Sequence, residues 1–424
     1  MTTSSIPLAI IGCGGMGHRH MYGLAELQKA GLSPFELVAV CDPNFENANS
    51  LADQSQQRLG KRPQPVSTLS ELNRIGDIQA VDICTLPAHH HSVAIQAMEL
   101  GWHILCEKPV GLTSRACKLM QKTSEKTGRI LSVAENYRRD PINRLAKALL
   151  EEGVIGTPRL MMHNTIGGSD RMLISVWRHQ KNASGILLDV GVHFADIMEF
   201  FLGNISSVYA QTRLHEKKRI NPMSGDTGSH QISSSQVYAH WQREMPSEFD
   251  ATADDACYAT ILFESGAVAQ YIEDHAARGE GMWKRAIFGS LGSMDLPGDR
   301  SGQRLKLQLE NQEIVNDERL LELVPNFALD EATAQLFGGD RLFEYSFEFE
   351  QTDRKLIAVE YWELGQCILN KTIPEVDINQ GARSVAIAYA WLESQMAGRS
   401  VSIDEVFLDE LNTYQNEINQ SMGI

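Results

Sequence analysis

The 424-residue chain predicts an α/β fold in two parts. A doubly wound parallel sheet is expected over 1–140, and an α+β domain with a large, mostly antiparallel open sheet over 141–400, followed by a tail at 401–424. Three observations carry this prediction. Short apolar runs alternate with helix-like stretches through the first third of the chain, the pattern of parallel strands joined by right-handed crossovers. The first run stops at a glycine-rich turn. After Pro141 the runs become β-rich, with one long helix among them.

Taken in order, Leu8 to Ile11 reads as a buried strand ending at Gly12, and a helix-compatible stretch follows over 16–30. Gly12, Gly14 and Gly17 form a G-x-G-x-x-G pattern between strand and helix. Gly12 permits a tight turn, Gly14 lets backbone approach a pyrophosphate, and Gly17 allows close helix–strand packing. Gly15 and Met16 complete this turn, where free N–H groups and the positive end of the helix dipole hold phosphates. The second strand, 35–41, ends in Asp42, 25 residues after Gly17. A carboxylate there accepts hydrogen bonds from ribose hydroxyls and repels a 2′-phosphate, so NAD is the expected cofactor.

A helix at 45–59, a short strand including Val66, a strand at 80–85, a helix at 89–100, a strand at 103–106, a helix at 114–127 and a strand at 130–134 continue the alternation. Ligands of such sheets bind outside the strands' carboxyl ends. Gly12, Asp42, Pro87, Glu107-Lys108-Pro109 and Glu135-Asn136-Tyr137 all fall there and are expected to converge.

Beyond Pro141, a helix at 142–152 leads into strands at 159–166, 206–211, 256–263, 267–272 and 284–288. A long helix is expected over 185–201. The polar stretch 214–251, rich in Ser, Gln and His, reads as an insertion or lid. Helices are expected at 332–337, 356–369 and 380–397.

Hydrophobic content of 43% and charged content of 22% are those of a globular protein. A formal charge of −16 excludes nucleic acid and anionic membrane as expected partners, since both require basic surface. The N-terminal segment predicts no secretory signal, and no uncharged apolar run reaches membrane-spanning length. Seven scattered cysteines without a C-x-x-C pair read as buried, reduced thiols in a cytoplasmic protein.

Lys108 follows a strand at the expected nicotinamide position, where a partly desolvated lysine serves as acid/base or as hydrogen-bond donor to a substrate oxygen. Asp189, His193 and Asp196 stand at i, i+4 and i+7 on an otherwise apolar helix and so form one polar stripe. His193 is a candidate to remove a hydroxyl proton, with Asp189 binding substrate or orienting the imidazole; the other readings are a satisfied core pair and an i, i+4 metal-ligating pair, and no metal is expected because no third ligand is evident. Trp177-Arg178, a ring beside a cation, suits a sugar and equally suits packing. His89-His90-His91 reads as a helix start facing the cofactor crevice. Successive helical residues diverge by about 100°, so no metal is expected there.

With these residues placed, the chain resembles the family of glucose–fructose oxidoreductase, inositol dehydrogenase and the MocA-like proteins. The likeness rests on the glycine loop, Pro87 with His91, Glu107-Lys108-Pro109, Asn136-Tyr137-Arg138, Trp177-Arg178, Asp189-x-Gly191-x-His193-x-x-Asp196, and a terminal helix ending Glu393-Ser394…Gly398-Arg399. The resemblance implies an N-terminal Rossmann domain and a C-terminal domain whose open sheet serves association as a homodimer or homotetramer. It also implies a tightly held nicotinamide cofactor. Lys108, Asp189 and His193 would be the catalytic set, Tyr137 and Arg138 would lie near the substrate, and Pro87, His91 and Glu107 would line the cofactor. Ala88 stands where the family often has Asn. The expected function is an NAD-dependent oxidoreductase acting on a secondary alcohol of a sugar, polyol or glycoside. Its rivals are a redox-neutral glycoside hydrolase using the same cofactor, and a non-catalytic nucleotide-binding sensor.

Overall fold

A computed structural model describes residues 5–225 and 235–424. In chain order the elements are β1 (Ile6–Ile11), α1 (Gly15–Lys29), β2 (Phe35–Cys41), α2 (Phe45–Leu59), β3 (Gln64–Val66), α3 (Leu69–Ile75), β4 (Ala80–Ile83), α4 (Pro87–Glu99), β5 (His103–Glu107), α5 (Ser114–Thr127), β6 (Leu131–Ala134), α6 (Pro141–Glu151) and β7 (Pro158–Gly168). There follow α7 (Ile186–Asp189), α8 (Gly191–Leu202), β8 (Ile205–Arg213), β9 (Lys218–Ile220), α9 (Ala239–Glu244), β10 (Glu248–Asp250), β11 (Ala256–Phe263), β12 (Val268–Ala277), β13 (Met282–Gly289), β14 (Gly292–Leu296), β15 (Lys306–Leu309) and β16 (Ile314–Val315). The last are α10 (Arg319–Glu322), α11 (Glu331–Phe337), α12 (Phe349–Asn370), α13 (Ile378–Ala397), β17 (Val401–Ser402), α14 (Ile403–Phe407) and α15 (Asn416–Met422).

The first unit holds a six-stranded sheet in the order β3-β2-β1-β4-β5-β6, all pairs parallel. Strands β1, β4, β5 and β6 are short, mostly apolar and almost wholly buried on both faces, as crossover helices require, while β3 at the edge is partly exposed. The helix ends match local chemistry: Asn44, Thr68 and Thr113 cap α2, α3 and α5 through their side chains, and Gly60 and Gly128 close α2 and α5 in the left-handed region.

The domain boundaries differ from the sequence expectation. The first unit comprises 1–136 together with 350–382, and the second 137–349 with 383–424. Residues 350–382 join the first unit because small side chains admit α12. A Cβ on Gly23 would lie 2.5 Å from Ile357, and one on Gly365 would lie 2.2 Å from Pro34. Residues 401–424 are not a tail. β17 pairs with β8, Ser402 and Glu405 form a capping box on α14, and Glu393 accepts the Tyr414 and Gln415 N–H groups.

The second unit contains a nine-stranded sheet, β16-β15-β14-β13-β7-β12-β11-β8-β17, antiparallel except for the parallel β7–β12 pair. The expected single helix over 185–201 is two helices, broken at Val190. Gly191 is where Trp391 packs: a Cβ there would lie 2.4 Å from the indole, so the chain turns at that contact. Within 214–251, β9 and β10 form a small antiparallel pair rooted in the core. The buried Arg219 guanidinium pairs with Asp255 at 2.7 Å and donates to three backbone carbonyls. Residues 226–234 of the stretch read as a lid lie outside the described residues.

Candidate functional site

At the carboxyl edge of the first sheet, Gly12 has a φ of +95°, and a Cβ there would lie 2.7 Å from the Cys84 carbonyl. A Cβ on Gly17 would lie 2.1 Å from the Gly12 oxygen, while nothing stands within 4 Å of one on Gly14. Two of the glycines are thus demanded by packing, and the third leaves open space where a phosphate can approach the backbone. Gly15, Met16 and Gly17 form the first turn of α1, whose amino end faces the same edge.

Asp42 lies at the tip of β2. Its carboxylate accepts the Cys13 N–H at 2.8 Å and the Asn44 N–H at 2.8 Å. It therefore ties the glycine loop to the second strand, and each oxygen retains a lone pair for a ribose hydroxyl. These features fit a dinucleotide.

Pro87 opens α4 at its first position, two residues earlier than expected. The three histidines diverge. His90 bridges the Pro109 and Thr85 carbonyl oxygens at 2.8 and 3.0 Å, His89 is exposed, and the buried Nδ1 of His91 has no partner among the described residues.

Glu107 ends β5, and Lys108 follows in a half-buried turn closed by a cis peptide to Pro109. The Lys108 N–H donates to Glu107 Oε2 at 3.0 Å. The other Glu107 oxygen bonds His20 Nε2 at 2.9 Å, and His20 Nδ1 bonds Asp82 Oδ2 at 2.9 Å. The Tyr361 hydroxyl donates to the same Asp82 oxygen. Burial pushes the His20 imidazole down, but the charge and hydrogen bond of Asp82, together with Cys84 beside it, hold it well above its usual range. Burial would likewise raise Glu107; the hydrogen bond and charge of His20, with Lys108 and Arg19, hold it at about 2. A buried imidazolium thus sits between two carboxylates, joining the helix after the glycine loop to the turn that carries Lys108.

His20, Asp82 and Cys84 also bring potential metal-ligand atoms within 4.8 Å of one another. Both His20 nitrogens are engaged by carboxylates, and burial pushes the Cys84 thiol up and keeps it protonated. The grouping is a proton-sharing network. Sequence reasoning missed it, although an acid inside the apolar run Ala80-Val81-Asp82-Ile83 was a visible signal.

In the second unit, Tyr137 and His193 stack face to face, with centroids 4.2 Å apart and planes 8° from parallel. The break at Val190 puts Asp189 at the end of α7, whereas His193 and Asp196 stand three residues apart on α8. Asp189 Oδ2 accepts Arg178 Nε at 2.7 Å, and Arg178 also bonds Ser175 Oγ and lies 4.1 Å from the Trp177 ring centroid. Asp196 receives a two-pronged fork from Arg138 at 2.7 and 2.5 Å. Arg138, expected near substrate, is committed to this buried pair; Arg178 is likewise held on Asp189. The structure thus brings Tyr137 to His193 and Arg178 with Trp177 to Asp189. His179, buried next to this group, has its imidazole pushed down to about 3 by burial and by Arg219, and its Nε2 accepts the Leu173 N–H.

Residues 6–135 match the NAD-binding Rossmann fold of the GFO_IDH_MocA oxidoreductase family, and 147–403 match its C-terminal alpha/beta domain. The chain belongs to the Gfo/Idh/MocA oxidoreductase family. Its first unit is the family's NAD-binding Rossmann domain. Among curated relatives, levoglucosan dehydrogenase of Pseudarthrobacter phenanthrenivorans is 32% identical over 216 residues, 49% of this chain and 53% of that protein. D-glucoside 3-dehydrogenase of Escherichia coli is 24% identical over 63% of this chain and 70% of that protein. A 2,7-anhydro-N-acetylneuraminate hydratase of Mediterraneibacter gnavus is 27% identical over 49% of this chain and 52% of that protein. The alignments span about half the length of the first curated relatives, 53% and 52%. A solved levoglucosan dehydrogenase in complex with NADH and L-sorbose superposes with a TM-score of 0.73 at 22% identity, covering 95% of this chain and all of that one. Among the described residues no helix is long and apolar enough to cross a membrane.

Proposed function

We propose that the chain is an NAD-dependent dehydrogenase of a secondary alcohol in a sugar, polyol or glycoside. The observation that carries this reading lies within the first unit. The dinucleotide loop and the Lys108 turn share one edge of the sheet, coupled through His20. The sugar and glycoside dehydrogenases among the relatives support the substrate class.

When bound, NAD supplies a hydride acceptor at its nicotinamide ring. Gly12, Gly14, Gly15, Met16 and Gly17 hold its phosphates, Asp42 its adenosine ribose, and Pro87, His91 and Glu107 border it. Lys108 donates a hydrogen bond to the substrate oxygen and lowers the cost of negative charge developing there. His193, with its ring plane set by Tyr137, takes the hydroxyl proton. Asp189, fixed by Arg178, binds and orients, and Trp177 offers an apolar face to a sugar ring.

The test is NADH formation with NAD and a panel of levoglucosan, D-apiose, methyl D-glucosides and inositols. His193→Ala should lower turnover about 10²–10⁴-fold, with NAD affinity retained; equal turnover in variant and wild type refutes the role. The hydratase among the relatives favours one second reading, a redox-neutral reaction on the same scaffold. It predicts product from a glycoside without free NADH, whereas a dehydrogenase accumulates NADH.

Association through the second unit's sheet is part of the proposal. Leu262, Val268, Leu160 and Phe288 form one cross-strand row, in which Leu262 and Phe288 are 44% and 42% exposed. An apolar row on an open sheet face suits a second copy of the chain. All seven cysteines are free and buried, which supports a cytoplasmic setting.

A further inference from the structure

Arg300 has a φ of +62°, the left-handed region that a residue with a Cβ seldom occupies. Buried contacts on both sides hold it there. Its N–H donates to Asp140 Oδ2 at 2.7 Å. Asp140 also caps α6 through the Ile142 N–H and accepts the Tyr345 hydroxyl at 3.0 Å. The preceding residue, Asp299, is gripped by the fully buried Arg285 through two bonds of 2.6 and 2.8 Å. Asn143 joins this frame to Tyr137, donating to Asp299 Oδ1 at 3.0 Å and to the Tyr137 carbonyl at 2.9 Å. Strain held by so many surrounding contacts is characteristic of positions kept for function.

The frame delivers one group. The Arg300 guanidinium carbon lies 5.2 Å from the Tyr137 ring centroid, and that ring is the one stacked on His193. A guanidinium over an aromatic face is attracted to it and limits how the ring can tilt. A tyrosine so held offers a fixed plane to the imidazole stacked on it, and a base must be held within a fraction of an ångström and some 10–20° to transfer a proton efficiently. We propose that Arg300 is a positioning residue for the reaction, acting through Tyr137 on the plane of the His193 ring. This rests on His193 being the proton acceptor.

Arg300→Asn tests it, because asparagine tolerates left-handed backbone and keeps the N–H to Asp140 while removing the guanidinium. Arg300→Lys retains charge without the flat stacking group. The expected result has three parts. A crystal structure of Arg300→Asn shows the Tyr137–His193 stack opened or rotated from its 8° alignment. The melting temperature stays within a few degrees of wild type. On the panel sugar turned over best, kcat falls roughly tenfold with KM and NAD affinity little changed, and Arg300→Lys recovers part of the loss. In a His193→Asn background, Arg300→Asn should lower turnover no further. An undisturbed stack, unchanged kcat in Arg300→Asn, or a full additional loss in the double variant overturns the inference alone. Wild-type turnover in His193→Asn overturns the base assignment, and this inference with it.

Discussion

Replacing His20 with alanine is expected to destabilise the first unit by about 3–5 kcal/mol, the usual cost of removing one member of a buried, hydrogen-bonded charge network. The size follows from the surroundings. His20 is wholly buried, and its two nitrogens bond Asp82 and Glu107, each at 2.9 Å. Without the imidazolium, two buried carboxylates face a cavity with no cation between them. Each kcal/mol moves the melt of a unit of this size by about 2–4 °C, so a drop of roughly 6–20 °C is expected.

The pH dependence makes the prediction sharper. His20 is raised above 6.5 in the folded state, so its contribution is complete below 6.5 and fades only as pH climbs through the raised value. Glu107 is depressed from 4.5 to about 2, so its contribution is complete above 4.5 and fades as pH falls towards 2. The gap between wild type and variant should therefore be flat from about pH 5 to about pH 6.5, narrow as pH climbs further towards the raised His20 value, and close in acid. Thermal and urea unfolding across that range measures it. A gap below about 1 kcal/mol near neutrality, or one that widens in acid, refutes the charged network.

The other predictions concern the loop, the second unit's core and its sheet. Gly17→Ala places a methyl 2.1 Å from the Gly12 oxygen, so NAD affinity measured by fluorescence titration should fall at least tenfold, whereas Gly14→Ala meets nothing within 4 Å and should fold with an unchanged melt. Asp196→Asn breaks the Arg138 fork and should cost about 3–5 kcal/mol in urea unfolding, while Arg138→Met with Asp196→Leu should recover most of it because no buried charge is left unpaired. If the chain self-associates through the open sheet face as proposed, Leu262→Glu with Phe288→Glu should lower the mass seen in light scattering without lowering the melt of the subunit; an unchanged mass argues against that face.

Local pattern was enough for the first sheet. Strand Phe35–Cys41 and helices Phe45–Leu59 and Ser114–Thr127 lie where apolar spacing and caps place them, because each depends on contacts that repeat within a few residues. The glycine loop and Asp42 were legible for the same reason: steric demands on Gly12 and Gly17, and a strand tip a fixed distance along the chain, are written in sequence. What only the tertiary structure decided are contacts between distant residues. Tyr361 reaches Asp82 across 279 positions and draws α12 into the first unit, and Trp391 breaks the helix at Gly191. Arg178 and Arg138 then divide Asp189 and Asp196 between them, and the Asp140 frame sets Arg300 over Tyr137. A helical period predicts which side chains share a face, but the partner that satisfies a buried charge is whichever group the folded chain brings within bonding distance.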